Sequence, residues 1–221
     1  MDDREIYAYQ TPTDDEVNRH IPQLVTELLK RSDPFQDHSV IHIAGWSFGG
    51  ILAYEAAQQL LNRTSQGNRV ISLTMLDAGI LYSVAVLNQL FKINKSIGLF
   101  DDRDLDALVP YFQEIGGEAG IVPKSYDFEA ARSVLKLFVT HAHATFDYRC
   151  EPLDVDLQFL QAEKLWCEKR RAPSREWESL CRSVTLHCTP GNHLTMVHPP
   201  HVTQLAATFG EILRKAEENE T

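Results

Sequence analysis

One segment near residue 45 constrains the fold of this chain more than any other. Residues 39–44 form a nearly continuous apolar run, which is typical of a strand covered on both faces in a parallel sheet. Gly45 and Gly49 flank Ser47 at a distance of two residues on either side, and good helix formers continue to Leu61. The order of strand, glycine-bounded turn and helix predicts a sharp elbow that presents the Ser47 hydroxyl above the end of a sheet, with glycines where the two backbones crowd.

The rest of the chain alternates predicted strands with predicted helices. Apolar runs predict strands at 6–9, 70–76, 155–161 and 184–188. Thr13 and Glu16 have the spacing of a capping box before a helix with one apolar face, and residues 202–215 form a closing helix. This pattern predicts an α/β fold with a mostly parallel sheet, helices on both faces and ligand contacts at the carboxyl ends of the strands.

Residues 79–143 contain amphipathic helical patterns and no predicted strand. Apolar residues recur at helical spacing around Leu105 and again around Leu135. With 221 residues the chain is long enough for one domain, since domains commonly hold about 100–200 residues. We therefore predict a single domain over 1–221 with a helical lid insertion at about 79–143; a purely structural helical cap is the alternative.

Charge and composition exclude several classes of partner. Asp and Glu number 31 against 21 Lys and Arg, giving a net charge of -10. Such a balance argues against nucleic-acid binding and against attraction to anionic membranes. The N-terminus lacks the apolar region of a secretory signal, and the four cysteines form no C-x-x-C pair. We expect a cytoplasmic protein with reduced structural thiols.

Ser47 needs a base and an orienting carboxylate, because a serine hydroxyl is a weak nucleophile at neutral pH. Asp77 directly follows the strand that comes after the elbow helix, so it should emerge at the same edge of the sheet as Ser47. A turn or helix-capping role is the alternative for Asp77. Glu163, just past the next strand, is the rival carboxylate.

The base is expected on a loop after the last strand, where His193 follows residues 184–188 and a Thr-Pro turn. His198 and His201 lie further on beside two prolines, where surface or capping roles suit them. His141 and His143 have settings that favour no particular role. No metal site is predicted, because the histidines lack an H-E-x-x-H pattern or clustered carboxylates.

Several motifs resemble one family along essentially the whole chain, namely the thioesterase domains that end nonribosomal peptide and polyketide synthetases. The likeness is carried by residues 44–50 (AGWSFGG), 52–57 (LAYEAA), 76–77 (LD), 191–196 (GNHLTM) and 200–202 (PHV). The resemblance implies an α/β-hydrolase fold. It also implies that the elbow serine takes an acyl chain from the phosphopantetheine thioester of an acyl or peptidyl carrier protein and passes it to water or to a nucleophile within the substrate.

Carried over by position, the resemblance implies that Ser47 is the nucleophile, Asp77 the orienting acid and His193 the base. The backbone N–H of Phe48 would donate to the oxyanion. No resident cofactor is implied, since the phosphopantetheine arm belongs to the carrier protein. Trp46 and Phe48 stand where proofreading thioesterases typically carry His and Met, and the position of Asp77 is that of product-releasing domains.

The resemblance departs from the family at the start of the chain. The family begins with a further strand and a glycine-containing loop that supplies a second oxyanion donor, and this portion is missing before Met1. We therefore expect an N-terminally truncated domain that is weakly active or inactive. The alternatives are a general esterase or a carbon-carbon bond-forming domain of the same fold, and a non-catalytic homologue that binds carrier proteins.

A basic cluster past the third long strand is the candidate docking patch for an acidic carrier protein. Its members are Lys164, Lys169, Arg170, Arg171 and Arg175. A solvated charged face with no partner is the alternative interpretation of the same pattern.

Overall fold

The structure is a computed structural model that describes residues 4–11, 20–31, 40–62, 69–79, 102–118, 122–123, 125–164 and 173–219. In chain order the helices and strands are α1 (Ile21–Arg31), β1 (Val40–Trp46), α2 (Phe48–Leu61), β2 (Arg69–Leu76), α3 (Asp102–Glu118), α4 (Phe128–Asp147), β3 (Leu153–Lys164), β4 (Cys181–Asn192) and α5 (Val202–Glu218). Two short 3-10 helices, Pro173–Glu176 and Thr195–Val197, flank β4.

The four strands form one sheet in the order β1-β2-β3-β4, and every neighbouring pair is parallel. This confirms the predicted parallel sheet, and β3 and β4 each extend beyond the predicted bounds to 12 residues. The carboxyl ends of parallel strands meet at one edge of a sheet. The turns after β1, β2 and β4 therefore lie at the same edge.

The strand predicted at 6–9 is wrong. This segment has no regular secondary structure, and Ile6 is 90% exposed. A β-branched and aromatic run forms a strand only where its side chains fit a half-buried pleated surface, and the described sheet of β1 to β4 does not include this segment. Arg4, just before the segment, instead donates from Nε and Nη2 to the Glu217 carboxylate on α5, at 2.6 and 2.7 Å.

Helices cover both faces of the sheet, as predicted. Along β3, Leu157 and Phe159 point into one apolar cluster, whereas Leu160 and Ala162 point into another, because successive strand residues face opposite sides. The first cluster includes the apolar faces of α1 and α2, and the second includes residues of α5. The buried face of α1 is the predicted one: Ile21, Leu24, Val25, Leu28 and Leu29.

The described part of the predicted insertion contains two helices with an apolar cluster of their own. The cluster joins α3 and α4 through buried residues: Leu105, Val109, Phe112, Val122, Ala131, Leu135, Val139 and Ala142. Asp127 caps α4 by accepting the Ala130 N–H at 2.8 Å. The helix continues past the predicted boundary at 143, and beyond its end the Tyr148 hydroxyl donates to buried Glu55 on α2 at 2.6 Å. The far end of α4 is thereby fixed to the main core.

Some predictions fall outside the described residues. These are the capping box at Thr13 and Glu16, the first part of the insertion at 80–101, Cys167, and Lys169, Arg170 and Arg171 of the basic cluster. Cys150, Cys181 and Cys188 are free thiols, and burial raises the pKa of the Cys150 thiol to about 12. Among the helices that the structure describes, none combines the length and apolar character needed to cross a membrane.

Candidate active site

The turn at Ser47 joins the end of β1 directly to the start of α2. Ser47 has φ 56° and ψ -124°, a conformation that L residues rarely adopt. Its N–H donates to the Leu76 carbonyl of β2 at 3.0 Å, and its carbonyl accepts from the Gly50 N–H at 3.0 Å. A strained backbone of this kind costs about 1–3 kcal/mol and persists where the surroundings hold it, most often at functional sites.

Close approach of the strand and helix backbones explains one of the two predicted elbow glycines. A Cβ on Gly45 would overlap the Gly49 carbonyl, whereas a Cβ on Gly49 would meet no atom within 4 Å. The second crowded position is Gly50, whose Cβ would overlap that of Ala78. Sequence reasoning therefore assigned the crowding to Gly49 when it belongs to the next residue, which packs against the turn after β2.

Asp77 occupies that turn and is fully buried. Its φ is 48°, and its N–H donates to the Leu160 carbonyl of β3 at 2.9 Å. Its Oδ1 atom accepts from the Ala162 N–H at 3.2 Å. On the following residue, the Ala78 carbonyl accepts from Trp177 Nε1 at 2.8 Å. These bonds hold the turn between two strands and leave the second carboxylate oxygen available to another partner.

The loop after β4 is folded by its own side chains. The Asn192 side-chain oxygen accepts the N–H groups of Leu194 and Thr195 at 3.0 and 2.9 Å, and the Thr195 hydroxyl accepts the Asn192 N–H at 2.9 Å. Gly191 has φ 94°, and the His201 ring lies against it so closely that a Cβ there would be 2.8 Å from that ring. This compact turn directs the His193 side chain toward the carboxyl ends of β1 and β2.

The three side chains predicted for catalysis lie in one hydrogen-bonded series. His193 Nδ1 is 2.9 Å from Asp77 Oδ2, and His193 Nε2 is 2.9 Å from Ser47 Oγ. His193 is only 3% exposed; its contact with Asp77 is buried, whereas its contact with Ser47 is partly buried. When Nδ1–H donates to the carboxylate, Nε2 is free to accept the serine proton, which is the arrangement that activates a serine nucleophile.

The rival residues do not join this series. Glu163 is exposed near the end of β3, and the carboxylate at His193 Nδ1 is that of Asp77. His198 is exposed, and His201 packs beside Gly191 at the start of α5. The arrangement therefore follows the predicted chain order of serine, aspartate and histidine.

Two aromatic contacts beside Ser47 were not predicted. The Trp46 ring stacks on His193 with centroids 5.3 Å apart, and its Nε1–H donates to the His193 carbonyl at 3.1 Å. The Phe48 ring stacks on His141 of α4, with centroids 4.0 Å apart and an interplanar angle of 11°. The sequence predicted a role for the Phe48 backbone N–H but none for the rings of Trp46 and Phe48, and no local pattern links residue 48 to residue 141.

His141 is a second, half-buried histidine near the elbow. Burial lowers the pKa of His141 to about 4, so the ring is neutral at physiological pH. Its Nε2 atom is buried and has no hydrogen-bond partner among the described residues. The ring therefore contributes to the interface between α2 and α4 by stacking.

Comparison with known proteins gives one family. A sequence model described as Thioesterase domain matches residues 1–213. The chain is 27% identical over 222 residues to the conidial pigment polyketide synthase PfmaE of Pestalotiopsis fici, and 28% identical over 209 residues to polyketide synthase 1 of Metarhizium majus. These alignments cover 87% and 84% of the chain. The chain spans only 9% of the length of each synthase.

Solved structures share the architecture at low sequence identity. A four-domain nonribosomal peptide synthetase with AMP and glycine matches with a TM-score of 0.64 and 19% identity, over 92% of this chain and 17% of that one. The NocB thioesterase domain of the nocardicin cluster matches with a TM-score of 0.58 and 20% identity, over 88% of this chain and 73% of that one. The predicted α/β-hydrolase fold is thereby confirmed.

Proposed function

Since this chain belongs to the thioesterase domain family, we propose that it is a serine thioesterase that releases an acyl chain held as a thioester on a carrier protein. The observation that supports this most directly is the series of two 2.9 Å contacts from Asp77 through His193 to Ser47. The polyketide synthases that the chain resembles favour a polyketide acyl chain as the substrate class.

Acylation begins when Ser47 Oγ attacks the thioester carbonyl carbon. The serine proton passes to His193 Nε2, and the buried Asp77 carboxylate stabilises the imidazolium that forms. The Phe48 N–H, one of the first helical N–H groups of α2 and without an intrahelical acceptor, donates to the oxyanion. When the carbon–sulfur bond breaks, the thiol of the carrier arm leaves with the proton from His193.

Deacylation uses the same groups in a second cycle. His193 Nε2 takes a proton from water or from a hydroxyl of the acyl chain, and that oxygen attacks the Ser47 ester. Hydrolysis gives a free acid, whereas attack from within the chain gives a cyclic product. The serine recovers its proton from His193 and the site returns to its starting state.

The hairpin of α3 and α4 is proposed as the lid over the acyl chain. Its support is the contact between His141 of α4 and Phe48, the residue after the nucleophile. An apolar cover of this kind would exclude water from the acyl-enzyme and favour attack by a group of the substrate itself. The proposed partner is an acyl or peptidyl carrier protein, which supplies the phosphopantetheine arm.

Turnover of two small substrates by the purified chain tests the proposal. We expect hydrolysis of an acyl N-acetylcysteamine thioester at a higher kcat/KM than the p-nitrophenyl ester of the same acid. Ser47→Ala should abolish both activities while the far-UV spectrum and melting temperature stay close to those of the wild type. A preference for the oxygen ester would indicate a general esterase, and undiminished thioester turnover by Ser47→Ala would contradict the proposal.

A further inference from the structure

Trp46 contacts His193 in two independent ways. Its indole Nε1–H donates to the His193 backbone carbonyl at 3.1 Å, and its ring lies over the imidazole with centroids 5.3 Å apart and planes 28° apart. One contact fixes the backbone of the residue and the other covers a face of its side chain. Together with the hydrogen bonds at Nδ1 and Nε2, they restrain the imidazole at both ring nitrogens and on one ring face.

Trp46 is fixed by its position at the end of β1 and by packing of its ring against an apolar cluster. It is the last residue of β1, and its ring packs against the apolar cluster beneath α5, which includes Leu160 and Met196. Met196 lies three residues after His193, on the short 3-10 helix that follows the histidine. The indole therefore contacts the loop at His193 and packs against the apolar cluster to which Met196 of the same loop belongs.

Trp46 is the neighbour of Ser47 in the chain and contacts His193 in space. Ser47 is the next residue, so its place is set by the same strand end that carries the indole. His193, in contrast, comes from a loop after β4, at the far side of the sheet from β1. Trp46, the last residue of β1, reaches that loop through its side chain.

We infer that Trp46 is a positioning residue that sets the distance and orientation of the His193 imidazole relative to Ser47. The inference rests on the proposed function, because it assigns a role to Trp46 only if His193 is the base. A displacement of about 1 Å in a reacting group can cost about 10²-fold in rate. The indole face also favours the imidazolium that forms when His193 takes the serine proton.

Two variants separate the two contacts. Trp46→Phe keeps an aromatic ring over the imidazole but removes the N–H donor, whereas Trp46→Leu removes both. The matched control is Tyr54→Phe, which removes a hydroxyl placed 2.8 Å from the backbone carbonyls of Glu151 and Leu180, outside the hydrogen-bonded series of Ser47, His193 and Asp77. All three variants therefore lose bonds from a side chain to the backbone, but only two lose them at the catalytic loop.

The readouts are thioester kinetics, the melting temperature and the NMR resonance of the His193 Nδ1 proton. We expect kcat to fall about tenfold in Trp46→Phe, which corresponds to the free energy of one lost hydrogen bond. In Trp46→Leu we expect kcat to fall about 10²-fold. KM should stay within about twofold of the wild-type value in both variants. The Nδ1 proton resonance should persist in wild type and Tyr54→Phe and weaken in Trp46→Leu. Tyr54→Phe should lose melting temperature but keep the wild-type kcat.

Each outcome supports or overturns the inference. Equal kcat in wild type and Trp46→Leu, or equal losses of kcat in Trp46→Leu and Tyr54→Phe, would overturn it. Should Trp46→Leu not fold, Trp46→Phe decides by the same comparison. An inactive wild type would contradict the proposed function, whereas the Nδ1 resonance would still report whether Trp46 holds the imidazole, so the two failures are distinguishable.

Discussion

Asp77 joins β3 to His193 through the two oxygens of a single carboxylate. Oδ1 accepts the Ala162 N–H at 3.2 Å, and Oδ2 lies 2.9 Å from His193 Nδ1. Because Oδ1 is fixed by the backbone of a neighbouring strand, the carboxylate cannot rotate away from the imidazole without losing a buried hydrogen bond.

Asp77→Asn should therefore lower kcat by about 10⁴-fold, because an amide in place of the carboxylate favours the wrong imidazole tautomer. Steady-state kinetics with a small thioester give the value, and a melting curve shows whether the fold is kept. Glu163→Gln is the matched control and should stay close to wild type, since Glu163 is exposed. The reverse ranking of these two variants would assign the orienting acid to Glu163.

Alanine substitutions of His193 and His201 should reduce activity to very different extents. His193→Ala should lose activity to the level of Ser47→Ala, since it removes the group that takes the serine proton. His201→Ala should keep most of the activity, because its ring lies against Gly191 and it is not part of the hydrogen-bonded series of Ser47, His193 and Asp77. Equal losses of kcat/KM for one thioester in the two variants would contradict the assignment of His193 as the base.

Alanine substitutions at the adjacent elbow glycines Gly49 and Gly50 should change the free energy of unfolding in opposite directions. In Gly50→Ala the new methyl group would overlap the Cβ of Ala78, and we expect a loss of about 1–3 kcal/mol in unfolding free energy. In Gly49→Ala the methyl group meets nothing, and a helical alanine should add about 0.5–1 kcal/mol. Urea unfolding monitored by far-UV signal gives both values. Similar losses in both variants would contradict the assigned crowding.

His141 should make stability depend on pH in a mildly acidic range. The folded state lowers the pKa of His141 to about 4, so between about pH 6.5 and 4 the unfolded chain binds more protons than the folded one. The contribution of His141 to the free energy of unfolding is therefore constant above about pH 6.5. It decreases as the pH falls through this window, by at most about 1.4 kcal/mol per pH unit.

His141→Phe tests this dependence and keeps the stack on Phe48. The variant removes a buried Nε2 atom that has no partner among the described residues, so its unfolding free energy at pH 7 should equal or exceed that of wild type. The advantage of the variant should grow as the pH is lowered from 6.5 to 4. A pH-independent difference between the two proteins in urea unfolding would contradict the shifted pKa.

The sequence predicted the residues that follow strand ends better than it predicted contacts between distant elements. Ser47, Asp77 and His193 each stand at a turn marked by glycine, by proline or by the end of an apolar run, and parallel topology then brings those turns to one edge. The stack of Phe48 on His141 has no such local mark, because it depends on how the α3–α4 hairpin packs.

The failed strand at 6–9 and the role of Gly50 have related explanations. The exposed Ile6 segment has the composition of a strand but does not pair with any strand among the described residues, and composition alone does not report such pairing. Gly50 is crowded by Ala78 from another turn, so its constraint is tertiary, whereas the motif drew attention to Gly49. Both cases depend on which parts of the chain meet, not on residue type.

Labelling with a fluorophosphonate tests the central claim most directly. The reagent forms a covalent bond with a serine oxygen only where a neighbouring base activates it. Intact mass measurement should show one adduct on the wild type, peptide mapping should place it on Ser47, and Ser47→Ala and His193→Ala should show none. An adduct on another residue, or no adduct on a wild-type chain shown to be folded, would contradict the assignment of Ser47 as the nucleophile.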